Sequence, residues 1–178
     1  EQTPQILPQL NLNHEMQSSR DLLAYKKLYG LDQLSAKHWQ GYIQMPLFKL
    51  HVQVFQPERD VPLGTVFLLH GYLEHSGIYQ PIIREILDQG FSVLTYDLPG
   101  HGLSDGSPAS IQNFDHYQHV LLAVYQYVKH ANQLPKPWVG IGQSTGGAIW
   151  MHHLLEYAQK RQDPIVDRVL LLSPLIRP

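Results

Sequence analysis

The segment Gly142-Gln143-Ser144-Thr145-Gly146 places a hydroxyl between two glycines, the G-x-S-x-G spacing of a serine that attacks a carbonyl carbon. The glycines meet a steric need. A serine on a sharp strand-to-helix turn is held at a strained positive φ, and the residues two positions away must then lack side chains. Gly146, Gly147 and Ala148 also let a helix start close to a sheet, with its first N–H groups aimed where negative charge develops. Such a match arises by chance in about one chain in twenty of this length, so its surroundings decide. An apolar run, Trp138–Ile141, precedes it and a helical pattern follows. Two other readings compete. Gly140-Ile141-Gly142-Gln143-Ser144-Thr145 approximates a dinucleotide-binding loop, but Thr145 replaces the third glycine and Leu172-Ser173-Pro174 ends the next strand without an acid. Alternatively, Ser144 merely caps the helix. The strand–helix context favours Ser144 as nucleophile over both.

Attack on an acyl carbon leaves an oxyanion that needs two aimed N–H donors. In hydrolases built on this turn, one comes from the residue after the serine and one from an earlier strand-end loop. By position these are Thr145 and Tyr72, the latter in His70-Gly71-Tyr72-Leu73-Glu74-His75-Ser76-Gly77-Ile78-Tyr79. Gly71 permits the close turn that points the Tyr72 N–H inward. His70 precedes the nucleophile and ends a strand, so it reads as a brace for this loop rather than a base. His70 and His75 lack the carboxylate cluster that a metal site would add. Asp97, at a strand end before a Gly/Pro loop, reads as an acceptor for turn N–H groups.

The elements that would position these groups follow from periodicity. Phe48–Phe55 alternates apolar and polar residues, with Phe48, Leu50, Val52 and Val54 on one face. With Tyr42–Met45 it reads as a half-buried antiparallel pair. Four runs, Thr65–Leu69, Phe91–Tyr96, Trp138–Ile141 and Val166–Leu172, are nearly continuous in apolar residues, as in strands covered on both faces. Helical spacing occupies Ile78–Gln89, Phe114–Ala131 and Gly146–Gln159 between them. Alternating strands and helices imply an α/β fold with a mainly parallel sheet and helices on both faces. Residues 1–40 are polar, with one helical piece at Asp21–Leu28, and read as an arm packing on a domain that spans 41–178.

Three motifs together resemble the monoacylglycerol lipase and lysophospholipase group of α/β-hydrolases. They are the His70–Tyr79 segment, the Asp97-Leu98-Pro99-Gly100-His101-Gly102-Leu103-Ser104-Asp105-Gly106 loop and the serine turn, in the group's order. Gln143 departs from the group, which has His before the serine; the position reads as buried beside the turn. The resemblance implies an ester or lipid substrate, a lid after the sixth strand, and a catalytic acid and base beyond that. Within the chain, the candidates after Ser144 are Glu156, Asp163 and Asp167 with His152 and His153. The two histidines lie about 12 Å along the helix that starts at the serine, directed away from its N-terminus. The two aspartates flank the wrong end of the sixth strand. The triad Asp and His are therefore expected outside this chain, which reads as an N-terminal portion whose partner is the C-terminal portion of the same protein.

Composition bounds the rest. The 178 residues carry a formal charge of −2 with 43% hydrophobic and 16% charged residues, as in a soluble globular domain without a basic field for nucleic acid. No apolar run approaches the ~20 residues of a transmembrane helix. Cysteine is absent, which excludes disulfides, thiolate catalysis and Cys-ligated zinc. No metal or organic cofactor is implied. Glu1 rather than Met opens the chain, which fits a removed leader or trimming equally, so the compartment stays open. A hydrolase-like binding protein without catalysis is the other functional class compatible with these motifs.

Overall fold

The structure, a computed structural model, describes residues 9–12, 19–110 and 113–176; segments 1–8 and 13–18 of the expected arm lie outside the described residues. Its element order is α1 (Arg20–Leu28), β1 (Ala36–Gln44), β2 (Lys49–Pro57), β3 (Thr65–Leu69), α2 (Gln80–Asp88), β4 (Ser92–Tyr96), α3 (Asp115–Ala131), β5 (Trp138–Gln143), α4 (Thr145–Gln159) and β6 (Arg168–Leu172). The six strands form one sheet in the order β1-β2-β4-β3-β5-β6. β4, β3, β5 and β6 run parallel, and β1 and β2 join antiparallel at one edge. The α/β class and mainly parallel sheet read from the sequence are the architecture found.

Alternation along the parallel strands divides the core in two. Phe67, Leu69, Leu94 and Tyr96 pack with α3 and α4 through Leu121, Val124, Ile149 and Trp150. Val66, Leu68 and Val93 pack on the opposite face with Ile83, Ile86 and Leu87 of α2. Coverage of both faces stops at the last two strands. On the α2 side Val139 and Ile141 are half-buried, and Leu170, the register partner of Ile141, is 52% exposed. The expectation of strands sealed on both faces thus fails for β5 and β6, where Val139 and Ile141 meet only the margin of the α2-side cluster and Leu170 faces out.

Two further boundaries differ from the sequence reading. β1 begins at Ala36, inside the segment read as arm, because its polar residues are paired rather than solvated: Gln40 bonds His51 and His38 bonds Gln53 across the β1–β2 pair. β2 is not half-buried either. His51 and Gln53, the polar positions of its alternation, are sealed from solvent, with Tyr25 of α1 edge-on to the His51 ring. The arm supplies core on both faces, with Leu10 and Leu12 on the α3/α4 side and Leu31 and Leu34 on the other. Burying each such leucine contributes about 1.5–3 kcal/mol. At the second helix, the expected start at Ile78 is taken by a 3₁₀ turn, Ser76–Tyr79, and the α-helix begins beside Pro81, whose missing N–H costs nothing in a first turn.

Candidate active site

Ser144 sits between the end of β5 and the first residue of α4 with φ 50° and ψ −111°, a conformation costly for a residue with a side chain. The surroundings hold it there. Its N–H donates to Leu172 O at 2.9 Å, and its carbonyl accepts from Ala148 N at 3.0 Å and Leu175 N at 3.1 Å. The flanking glycines are obligatory by contact. A Cβ on Gly142 would lie 2.3 Å from Gly146 O, and one on Gly146 would lie 2.2 Å from Leu69 O. Strand, turn and helix are packed backbone to backbone around the serine.

Thr145 is buried and opens α4, one residue earlier than the helical pattern suggests, so its N–H belongs to the first turn, which has no intrahelical acceptors. The loop after β3 comes up beside the serine: a Cβ on Gly71 would stand 3.2 Å from Ser144 Cβ. Tyr72 follows at the rim, its side chain 53% exposed and its ring edge-on to His101. Gln143, expected to be buried beside the turn, is half-buried, since it lies on the open side of β5.

Beneath the loop lies a sealed polar chain. Asp97, fully buried at the end of β4, accepts from His51 Nδ1 at 2.7 Å, Ser76 N at 2.7 Å, Ser76 Oγ at 2.6 Å and Leu103 N at 2.9 Å. Burial alone would raise its pKa, but the His51 imidazole beside it and the Ser76 hydrogen bonds hold it well below the usual carboxylate range. Gln53 extends the chain by donating to Ser76 Oγ at 2.7 Å. One carboxylate thereby joins β2, β4, the loop after β3 and the loop after β4. Sequence reasoning found its turn-binding character but missed His51 and Gln53. Their positions in an alternating strand read as outward; the signal was the pairing of polar types at two successive such positions.

The histidines weighed as bases are engaged elsewhere. His70 Nδ1–H donates to Gly71 O at 2.7 Å and its Nε2 accepts from Leu98 N at 2.8 Å, so both ring nitrogens brace backbone. Burial pushes its pKa down. His153 bonds Gln118 Oε1 through Nδ1 and accepts from Ile165 N through Nε2, both at 3.2 Å. Burial lowers its pKa to about 4. His152 faces Asp115 at 3.4 Å. Asp167 accepts from Trp138 N at 2.9 Å, at the opposite end of β5 from Ser144.

Comparison with known proteins agrees with this geometry. The sequence profile of the family described as "Serine aminopeptidase, S33" matches residues 60–178, two thirds of the chain. The chain belongs to this family. This α/β-hydrolase chain is 32% identical to human monoglyceride lipase over 120 residues, covering 65% of the chain and 36% of the lipase. It is 26% identical to phospholipase YtpA of Bacillus subtilis over 117 residues, covering 66% of the chain and 42% of that protein. Among solved structures, the monoacylglycerol lipase of Paleococcus ferrophilus superposes with a TM-score of 0.55 at 29% identity, over 72% of this chain and 44% of that one. The chain thus spans less than half the length of these relatives. Among the described residues, no helix is long and apolar enough to cross a membrane.

Proposed function

We propose that this member of the serine aminopeptidase S33 family carries the nucleophile and oxyanion donors of a carboxylic ester hydrolase acting on a monoacylglycerol or lysophospholipid. The observation that carries the reading is the backbone of Ser144: a positive-φ serine pinned at a strand end, beside a helix N-terminus and the Gly71 loop. Ser144 Oγ attacks the ester carbonyl, and the N–H groups of Tyr72 and Thr145 stabilise the tetrahedral oxyanion. The ring nitrogens of His70 and His153 are engaged elsewhere, and in this reading the histidine that takes the serine proton and the carboxylate that orients it are supplied by the longer protein. Water then releases the acyl-enzyme. The lipase and phospholipase names of the relatives favour a lipid ester over a peptide.

The experiment is hydrolysis of p-nitrophenyl esters and monoacylglycerols by the longer protein containing this chain and by residues 1–178 alone. Ser144→Ala lowers kcat of the longer protein by about 10⁴-fold or more, and residues 1–178 alone are inactive. Near-normal turnover by the alanine variant contradicts the nucleophile. A fully active 178-residue chain contradicts the external base.

A further inference from the structure

Gly71 meets Glu74 through both of its backbone groups, and its carbonyl also accepts from His70 Nδ1–H at 2.7 Å. Its N–H donates to Glu74 Oε2 at 2.9 Å, and its carbonyl accepts from Glu74 N at 3.3 Å. The second bond closes a four-residue turn over Gly71–Glu74, in which Leu73 takes φ 60°. Tyr72 is the first central residue of that turn, so its N–H takes no part in closing it. Glu74 is itself fixed: Tyr79, at the end of the 3₁₀ turn, donates its hydroxyl to the same Oε2 and also lies 3.2 Å from Gly71 N. Tyr79 is buried, and its pKa is raised by burial and by this carboxylate, so it stays a donor. The clamp adjoins the nucleophile. A Cβ on Gly71 would meet Glu74 Oε2 at 2.7 Å and Ser144 Cβ at 3.2 Å, which puts carboxylate and serine around the same α-carbon.

We infer that Glu74, seated by Tyr79, is a positioning residue that occupies the Gly71 N–H and thereby presents the next one, that of Tyr72, as the oxyanion donor. This rests on the ester-hydrolase reading above. The physical reason is the order of two adjacent donors. If Gly71 N–H were unsatisfied it would compete for any acceptor in the site, and the peptide plane between His70 and Gly71 would lose the tie that, with the bonds to Gly71 O, fixes how the glycine hands the chain on to Tyr72. Glycine at 71 has the widest choice of backbone conformations, so an external tie is needed to select one. Glu74 supplies that tie through a charge-assisted hydrogen bond, the stronger kind, and Tyr79 prevents the carboxylate from swinging toward solvent. Glu74 touches no reacting atom in this role; it acts through Gly71.

The test uses the longer protein containing this chain, assayed on a p-nitrophenyl ester. Glu74→Ala lowers kcat about 10–100-fold with KM changed less than about 3-fold, since one oxyanion donor is misplaced while ground-state binding persists. Glu74→Gln keeps a carbonyl acceptor for Gly71 N–H and recovers most of the loss. Tyr79→Phe gives an intermediate loss. Amide hydrogen exchange, independent of turnover, finds Gly71 N–H protected in the wild type and the Gln variant and unprotected in the Ala variant. Wild-type kcat in Glu74→Ala overturns the positioning role alone, as do equal losses in Ala and Gln, which would assign the effect to charge. Wild-type protein without Ser144-dependent turnover overturns the ester-hydrolase reading, and the positioning role with it.

Discussion

The Asp97 carboxylate and the His51 imidazole meet at 2.7 Å with both side chains fully buried, and they tie β2 to the loops around the serine. His51 lies on β2, in the antiparallel part of the sheet; Asp97 directly follows β4 and also holds Ser76 and Leu103. A buried hydrogen-bonded pair rarely adds much stability over an apolar pair, but removing one partner strands the other. Its visible use is geometric, since the loop carrying Gly71 and Tyr72 is anchored at Ser76.

The first prediction follows from that anchor. Asp97→Ala removes the acceptor of two backbone N–H groups, a hydroxyl and an imidazole, and costs about 3–5 kcal/mol of stability. The urea midpoint falls accordingly, and protection of the Ser76 and Leu103 amides is lost. A change below about 1 kcal/mol would show that the carboxylate is dispensable.

Much of this architecture is legible in the residues. Val66-Phe67-Leu68-Leu69 and its parallel neighbours announce themselves because buried strands have no polar face, and the serine turn does so because only glycine fits at 142 and 146. Legibility ends where polar groups are buried in pairs. His38, Gln40, His51 and Gln53 look like a solvated face; hydrogen bonds across the strands place Gln40, His51 and Gln53 inside and His38 half-buried, and such pairing is not a local signal. The clamp of Glu74 on Gly71 was hidden for the same reason, since a side chain folding back three residues leaves no periodicity. The start of β1 at Ala36 and the open side of β5 and β6 depend on which neighbours are present.

Acid sensitivity follows from two neutral histidines. Burial lowers the pKa of His38 to about 3 and that of His153 to about 4, against an ordinary value of 6.5. The unfolded chain therefore binds more protons than the folded one between these values. Stability is intact above pH 6.5 and declines as pH falls toward 4, by up to about 1.4 kcal/mol per pH unit for each histidine. Asp97, whose pKa is depressed, contributes its own loss only below the ordinary carboxylate value of 3.8. A urea midpoint that is flat from pH 6.5 to 4 would contradict the neutral state of both rings.

The oxyanion donor proposed at Tyr72 is a backbone group, so two substitutions at one position separate it from the side chain. In the longer protein, Tyr72→Ala keeps kcat within about 10-fold of wild type, because the exposed ring leaves the N–H in place. Tyr72→Pro deletes the N–H and lowers kcat about 10²-fold or more. Equal losses in folded protein would assign the effect to the tyrosine side chain instead.

The central claim is that Ser144 is an activated nucleophile in the protein that carries this chain. The most direct measurement is reaction with a fluorophosphonate, followed by intact mass and peptide mapping. The expected result is a single adduct on the Gly142–Gly146 peptide, absent in Ser144→Ala and slowed in Glu74→Ala. Folded wild-type protein that takes up no label at Ser144, or is labelled at another residue while hydrolysing esters, would contradict it.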